Sequence, residues 1–153
     1  MMEKPDHSLN ETQSYIMQVL QSVIGILDEL KVPYYMQGGT MLGAIRHRGF
    51  IPWDDDVDVA MPREDYEIFI KEAPKLLSEH LFLQNYHTEP YYPLLMSKIR
   101  NSNTTFIEPL LSKIPMHHGV YIDIFPLDGY PGDRILQERI EREKYRYIYR
   151  DSC

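Results

Sequence analysis

Cysteine is nearly missing from this chain: the one present is Cys153, the last residue. That excludes a disulfide framework and a thiolate zinc cluster. No block of lysines and arginines occurs, and the net charge is −7. Proteins that grip long nucleic acid through its phosphates need the opposite balance, so no polynucleotide partner is expected. A nucleotide carried together with a metal stays compatible with that charge. No apolar run approaches the length of a membrane span, and the N-terminus has no apolar signal core. The expectation is a cytoplasmic protein without a transmembrane segment. Internal repeats and low-complexity linkers are absent. The six histidines lack metal-ligand spacing, and the adjacent His117 and His118 would face opposite ways on a strand.

What is present is enough for one packed domain, or a piece of a larger one: 153 residues, 43% hydrophobic, with 12 tyrosines. The chain is organised around residues 37–61, QGGTMLGAIRHRGFIPWDDDVDVAM. Gly38 and Gly39 let backbone approach a ligand without a Cβ in the way. Thr40 opens a short helix through Arg48, with Gly49 at the expected C-terminal cap. The free N–H groups of a helix start form a site for phosphate. Asp54, Asp55, Asp56 and Asp58 follow, and Asp56-Val57-Asp58-Val59 alternates as a strand does. Asp56 and Asp58 then share one face while the valines face the core. Paired carboxylates favour a bound divalent cation or a raised pKa, and hard oxygen ligands suit Mg²⁺ or Mn²⁺. The plainer alternative is a solvated acidic turn after a helix cap.

The remaining elements follow from periodicity and punctuation. Residues 1–9 read as a flexible N-terminus. Asn10 caps a helix to about residue 31, with Ile16, Val19, Leu20, Val23, Leu27 and Leu30 on one stripe. Residues 32–36 form a first strand. Pro62 ends the Asp-bearing strand, and a helix then starts near 63–65, buries Tyr66, Phe69, Ile70 and Ala73, and is broken or kinked by Pro74. Residues 81–86 make a short strand. Residues 93–100 and 104–107 read as two strands around the turn Asn101-Ser102-Asn103. Lys98 and Arg100 share a strand face, either meeting phosphate across the cleft or lying on an ordinary charged outer surface. GVYIDIFPL (119–127) is the most apolar strand, with Asp123 inside it. A carboxylate there needs a partner or a cation, which makes Asp123 the natural third ligand beside Asp56 and Asp58. Asp128-Gly129 makes a turn. Residues 132–153 are a C-terminal helix with a weak apolar side (Ile135, Leu136, Ile140, Tyr147, Ile148), and the chain looks cut after it.

A Gly-Gly-Thr turn, an Asp-x-Asp strand and a third Asp suit nucleotidyl or phosphoryl transfer. Two metals about 4 Å apart can activate an attacking hydroxyl and stabilise a leaving phosphate. On this reading Asp56, Asp58 and Asp123 are catalytic and bind the metal. Gly38, Gly39 and Thr40 hold the donor's outer phosphate. The fold expected is α/β (α+β), a mixed twisted sheet flanked by helices with the carboxylates at one sheet edge. The core spans residues 10–131.

Three segments, GGTMLGAIRHRGFIPWDDDVDVAMPREDY (38–66), KIRNSNTTFIE (98–108) and GVYIDIFPLDG (119–129), together resemble the LicD family, whose animal relatives are fukutin and fukutin-related protein. The resemblance covers roughly residues 15–130. It implies a nucleotidyltransferase-like fold and a CDP-alcohol donor. It also implies transfer of phosphocholine from CDP-choline, or of a related phospho-alcohol such as that of CDP-ribitol, to a hydroxyl of a cell-surface glycan (teichoic acid or lipopolysaccharide), releasing CMP. The residues it carries over are Gly38, Gly39, Thr40, Asp56, Asp58 and Asp123, then Lys98 and Arg100 as donor-phosphate contacts. Family members usually continue for another hundred or so residues. Two rivals stand beside this: a nucleotidyltransferase passing NMP to a small molecule or protein, and a truncated non-catalytic domain that binds a nucleotide or a partner. Trp53 is expected to plug the base of the acidic loop, and the tyrosines suggest a choline cage with no single residue indicated.

Overall fold

A computed structural model describes the main chain of residues 7–149 and the side chains of residues 11–143. The elements in order are α1 (His7–Leu30), β1 (Tyr35–Met36), α2 (Gly38–Arg46), β2 (Asp58–Pro62), α3 (Arg63–Leu76), β3 (Leu81–Gln84), β4 (Ser97–Asn101), a 3-10 turn (Pro109–Leu111), β5 (Tyr121–Leu127) and α4 (Arg134–Tyr149). The strands form one mixed sheet in the order β1-β2-β5-β4-β3. β2 and β5 run parallel; every other neighbouring pair is antiparallel. This is the mixed sheet with helices that the sequence led one to expect.

The apolar stripe of α1 does what its spacing requires. Ile16, Val19, Leu20, Val23 and Leu27 are buried, Ile26 joins them, and Leu30 packs at the margin. They meet Tyr66, Phe69 and Ala73 of α3 and the inward residues of the strands, among them Val57, Val59, Leu83, Ile99, Ile122 and Ile124. α1 and α3 therefore cover one face of the sheet. Burying a Val, Leu or Ile side chain stabilises by roughly 1.5–3 kcal/mol, so this layer is the main source of stability. The other face carries Asp58, Asp123, Lys98 and Arg100, and Glu108 of the segment 102–120 folds over Lys98 and Arg100.

Several boundaries differ from expectation. α1 begins at His7, so Asn10 lies inside the helix and does not cap it. β1 is only two residues long, because Val32 bonds back to Leu27 and closes the helix end. α3 continues through Pro74 to Leu76 unbroken, so the proline forgoes its own bond to the carbonyl of residue 70 without ending the helix. β3 stops at Gln84. The expected hairpin does not form. Asn101-Ser102-Asn103 does turn, but β4 pairs with β3 on one side and β5 on the other, and no strand forms at 104–107. That stretch runs instead as a loop pinned by Phe106 N–H to the His118 carbonyl (2.6 Å) and Val120 N–H to Thr104 Oγ1 (2.9 Å). The left-handed residue closing α2 is Arg48 (φ 57°), one before Gly49.

α4 is capped by Asp133, whose Oδ1 accepts from Leu136 N–H at 2.8 Å. Its described apolar residues, Ile135, Leu136 and Ile140, are exposed. The side chains of Tyr147 and Ile148, the tail after 149 with Cys153, and residues 1–6 lie outside the described residues.

Gly119 leads into β5 at the tightest approach of any glycine here: a Cβ there would sit 2.1 Å from the Asn101 carbonyl oxygen. Backbone cannot yield as a side chain can. Gly119→Ala is expected to destabilise by about 2 kcal/mol or more, as overpacked sites do, read as a lowered midpoint of thermal unfolding. An unchanged midpoint would contradict that.

Candidate active site

The register of the sheet builds the site. Asp58 stands opposite Asp123 across the parallel β2–β5 pair, and Asp123 stands opposite Lys98 across β5–β4. These side chains share the face away from the helices. The carboxylates thus lie at the centre of the sheet, not at an edge as expected, because β5 inserts between β2 and β4. β2 itself begins at Asp58, yet the alternation reaches further back. Val57 is buried, Asp56 half-buried, and the Val57 carbonyl accepts from Asp123 N–H at 2.9 Å. Asp56 therefore lies one pleat from Asp58.

α2 points its N-terminus at these acids. Its first residue, Gly38, has φ 56°, and the preceding Gln37 makes no side-chain cap. A Cβ on Gly38 would sit 3.0 Å from Asp58 Oδ2, and one on Gly39 would sit 2.9 Å from Asp54 Oδ2. The two glycines admit carboxylates against the helix start. Thr40 Oγ1 accepts from Asp58 N–H at 2.8 Å and so ties the helix to the strand.

Crowding of like charges shows in the acidities. Asp56 is pushed up to about 6 by burial, then by Asp58, Asp54, Asp123 and Asp55. Asp58 is pushed up to about 6 by burial, Asp123 and Asp54, with Lys98 pulling the other way. Burial also raises Asp123, against the pull of Lys98. Among the described residues, the carboxylate oxygens that gather within 4.8 Å as a set of three belong to Asp54, Asp55 and Asp56. Asp56, Asp58 and Asp123 do not form such a set in this conformation. The donors are nonetheless all hard oxygens that repel one another, held in a cradle that a Cβ would fill. That environment fits Mg²⁺ or Mn²⁺.

Lys98 and Arg100 are used differently from the expectation. Neither lies on an open surface: they are 1% and 0% exposed. Lys98 Nζ is 2.8 Å from Asp123 Oδ1, 3.2 Å from Glu108 Oε1 and 3.5 Å from the centre of the Tyr121 ring. Arg100 donates to Gln84 Oε1, to the Gly119 carbonyl (2.7 Å) and to Glu108 Oε2 (2.7 Å). With its donors engaged inside the fold, Arg100 does not reach a phosphate. Glu108 is the residue that sequence reasoning missed. It joins both cations and accepts from the Tyr121 hydroxyl at 3.2 Å, and although burial opposes ionisation, Arg100 and Lys98 hold its pKa below the usual value. Its only sequence signal is an acid set among apolar residues, FIEPL. Trp53 is 76% exposed, edge-on to His47 at 6.3 Å, and does not plug the acidic loop. The expected phosphate-cleft use of Lys98 likewise gives way to an internal ion pair.

Two cavities flank the carboxylates. One of about 460 Å³ lies between α1 and α2, with Gly39, Thr40 and Asp54 at its lip and Met17, Phe50 and Val57 in its wall. The other, about 380 Å³, is lined by Asp55, Leu94, Phe106, Glu108, Leu111 and Tyr121. The aromatic pair Phe106–Tyr121 meets edge-on at 5.9 Å.

The family described as LicD/FKTN/FKRP, nucleotidyltransferase domain, matches residues 31–149, which contain every one of these site residues. The chain belongs to the LicD family. It is 32% identical over 153 residues to the lipopolysaccharide cholinephosphotransferase LicD of Haemophilus influenzae, an alignment covering 95% of this chain and 54% of that protein. It is 43% identical over 58 residues to the ribitol 5-phosphate transferase FKRP of human and of mouse, covering 38% of this chain and 10% of theirs. The chain thus spans about half the length of the Haemophilus LicD protein. These LicD relatives are transferases of phospho-alcohols. No helix among the described residues is long and apolar enough to cross a membrane.

The raised acidities predict a pH dependence. A carboxylate at about 6 in the folded chain and near 3.9 unfolded binds protons preferentially when folded. Its stabilising contribution is full below about pH 4 and lost as pH rises through 6. Without divalent cations the melting temperature is therefore expected to fall from pH 5 to pH 7.5. His117, whose pKa burial lowers, acts in the opposite sense, so the slope is read as the difference between wild type and Asp56→Asn. Equal slopes for the two would refute the assignment.

Proposed function

We propose that this chain carries the donor and cation half of a phospho-alcohol transferase, acting in the cytoplasm. It would move phosphocholine, or a related phospho-alcohol, from a CDP-alcohol to a glycan hydroxyl. The observation that carries this reading is the register pairing of Asp58 with Asp123 beside Asp56, at the mouth of the Gly38-Gly39-Thr40 helix start, in a LicD-family chain.

In this reading Asp56 and Asp58, with Asp123, hold Mg²⁺ or Mn²⁺. The ion's chemistry is to draw negative charge off the transferring phosphate. The N–H groups opening α2 receive donor phosphate oxygens, and the absent Cβ atoms at Gly38 and Gly39 let the phosphate lie against backbone. The acceptor oxygen bonds to the phosphorus that carries the small alcohol. The bond from that phosphorus to the oxygen bridging to CMP breaks, and CMP leaves with the electron pair. The proton of the attacking hydroxyl passes to a carboxylate, which in this reading is Asp123. The cavity beside Asp55, with Phe106 and Tyr121 in its wall, takes the alcohol end of the donor. Lys98 and Arg100 act from within by fixing Asp123, Glu108 and Tyr121.

Calorimetric titration of CDP-choline, CDP-ribitol, CTP and ATP, with and without Mg²⁺ or Mn²⁺, tests this on wild type and Asp56→Asn. Cation-dependent binding of a CDP-alcohol, lost in the variant, is expected. Preference for CTP or ATP, with pyrophosphate released on turnover, would instead support NMP transfer. Absence of all binding by a folded chain would leave the non-catalytic reading.

A further inference from the structure

A single row of side chains crosses the polar face of the sheet: Asp58 opposite Asp123, Asp123 opposite Lys98, Lys98 opposite Gln84. We propose that Lys98 is the built-in counter-cation of Asp123, and that the site in consequence takes one divalent cation where two-metal transfer would place a pair. This rests on the cation reading above.

The ammonium is held from three sides: Asp123 Oδ1 at 2.8 Å, Glu108 Oε1 at 3.2 Å and the Tyr121 ring at 3.5 Å. It is 1% exposed and anchored in an interior strand. Swinging it aside would break all three contacts and strip Glu108 of one of its two cations. Arg100 cannot substitute, because its donors already bind Gln84, Gly119 and the other oxygen of Glu108. A metal ligated by Asp123 sits about 2.0–2.6 Å from a carboxylate oxygen. A second such ion on the Lys98 side would share that carboxylate with a fixed ammonium. Like charges a few ångströms apart in a water-poor setting repel strongly.

The opposite end of the row is acidic and partly exposed. None of Asp54, Asp55, Asp56 and Asp58 has an ion-pair partner among the described residues. The need for positive charge is therefore confined to that end. Asp123 stands between the two ends and would be shared between a bound ion and Lys98. Lys98 is a positioning residue here: it supplies fixed charge beside Asp123 and holds that carboxylate in register.

Manganese titration of the full chain, followed by calorimetry and by electron paramagnetic resonance, decides the question. Wild type is expected to bind one ion and to show no spin-coupled pair. Lys98→Met is expected to gain a second ion. Lys98→Met removes a positive charge from the layer, so the Lys98→Met/Glu108→Gln double variant, whose net charge equals that of wild type, is measured beside it, with the same two-ion result expected. Two ions in wild type would overturn the inference and leave the cation site standing. No ion at millimolar manganese would overturn the cation reading and the inference with it. One ion in a folded Lys98 variant would show that Lys98 does not set the count. If neither variant folds, the wild-type count alone decides.

Discussion

Asp56→Asn is expected to melt at a higher temperature than wild type at pH 7.5 without cations, while losing divalent-cation binding. The two effects have one cause. Asp56 is raised to about 6 by burial and by four neighbouring aspartates. At pH 7.5 the folded chain must hold this charge ionised against that environment. An amide is isosteric and removes the charge. A two-unit shift on a fully buried group would be worth about 2.7 kcal/mol, but Asp56 is only half-buried and water screens part of the repulsion. About 1 kcal/mol is the reasonable expectation, or roughly 4 °C for a domain of this size. The same substitution removes a cation ligand, so manganese added at millimolar concentration should raise the wild-type midpoint and leave the variant's nearly unmoved. Differential scanning fluorimetry with and without manganese reads both. A variant that melts lower than wild type and still responds to manganese would refute the assignment of Asp56 to a cation site. Such a site trades stability for function, as strained functional positions do.

Glu108→Ala is expected to be the most damaging single side-chain truncation in the polar layer. Glu108 receives Arg100 at 2.7 Å, Lys98 at 3.2 Å and the Tyr121 hydroxyl at 3.2 Å. Both cations are essentially without solvent contact, so removing their shared anion leaves buried positive charge uncompensated. Breaking such a pair typically costs about 3–5 kcal/mol, a large part of the stability of a small domain. Glu108→Gln keeps the shape and part of the hydrogen bonding and should lose less. Urea denaturation followed by circular dichroism measures both. A loss below about 1 kcal/mol for the alanine variant would mean that Lys98 and Arg100 find other partners, and that Glu108 is not what organises this layer. The exposed pairs Arg63–Asp128 and Arg134–Glu138 offer a contrast, since water already solvates their charges and their removal should change little.

Much of the apolar layer was legible because periodicity is a local property. The α1 stripe, the Tyr66–Phe69–Ala73 face of α3 and the valines flanking Asp58 were all readable from spacing. The Asp-x-Asp pair and the isolated Asp123 were readable because carboxylates beside apolar strand residues need a reason. The Gly-Gly turn was readable because glycine marks close backbone approach. What spacing could not convey was pairing. Nothing in 93–107 says that Ser97–Asn101 pairs with β3 and β5 in place of a hairpin partner, since any of these edges offers the same backbone groups. That single choice of partner turned Lys98 and Arg100 inward.

The sequence by itself determined the family and the helix–sheet composition, since these depend on residue type and near-neighbour order. The tertiary structure alone decided which residues meet. The parallel β2–β5 register set Asp58 against Asp123, and the insertion of β5 between β2 and β4 placed Lys98 on its other side. The loop 102–120 brought Glu108 back over the sheet to bind both cations. Those contacts span from eight residues, for Arg100 and Glu108, to sixty-five, for Asp58 and Asp123 (58 to 123). Charge is read locally in a sequence, but its partner is chosen by how strands order themselves in a sheet.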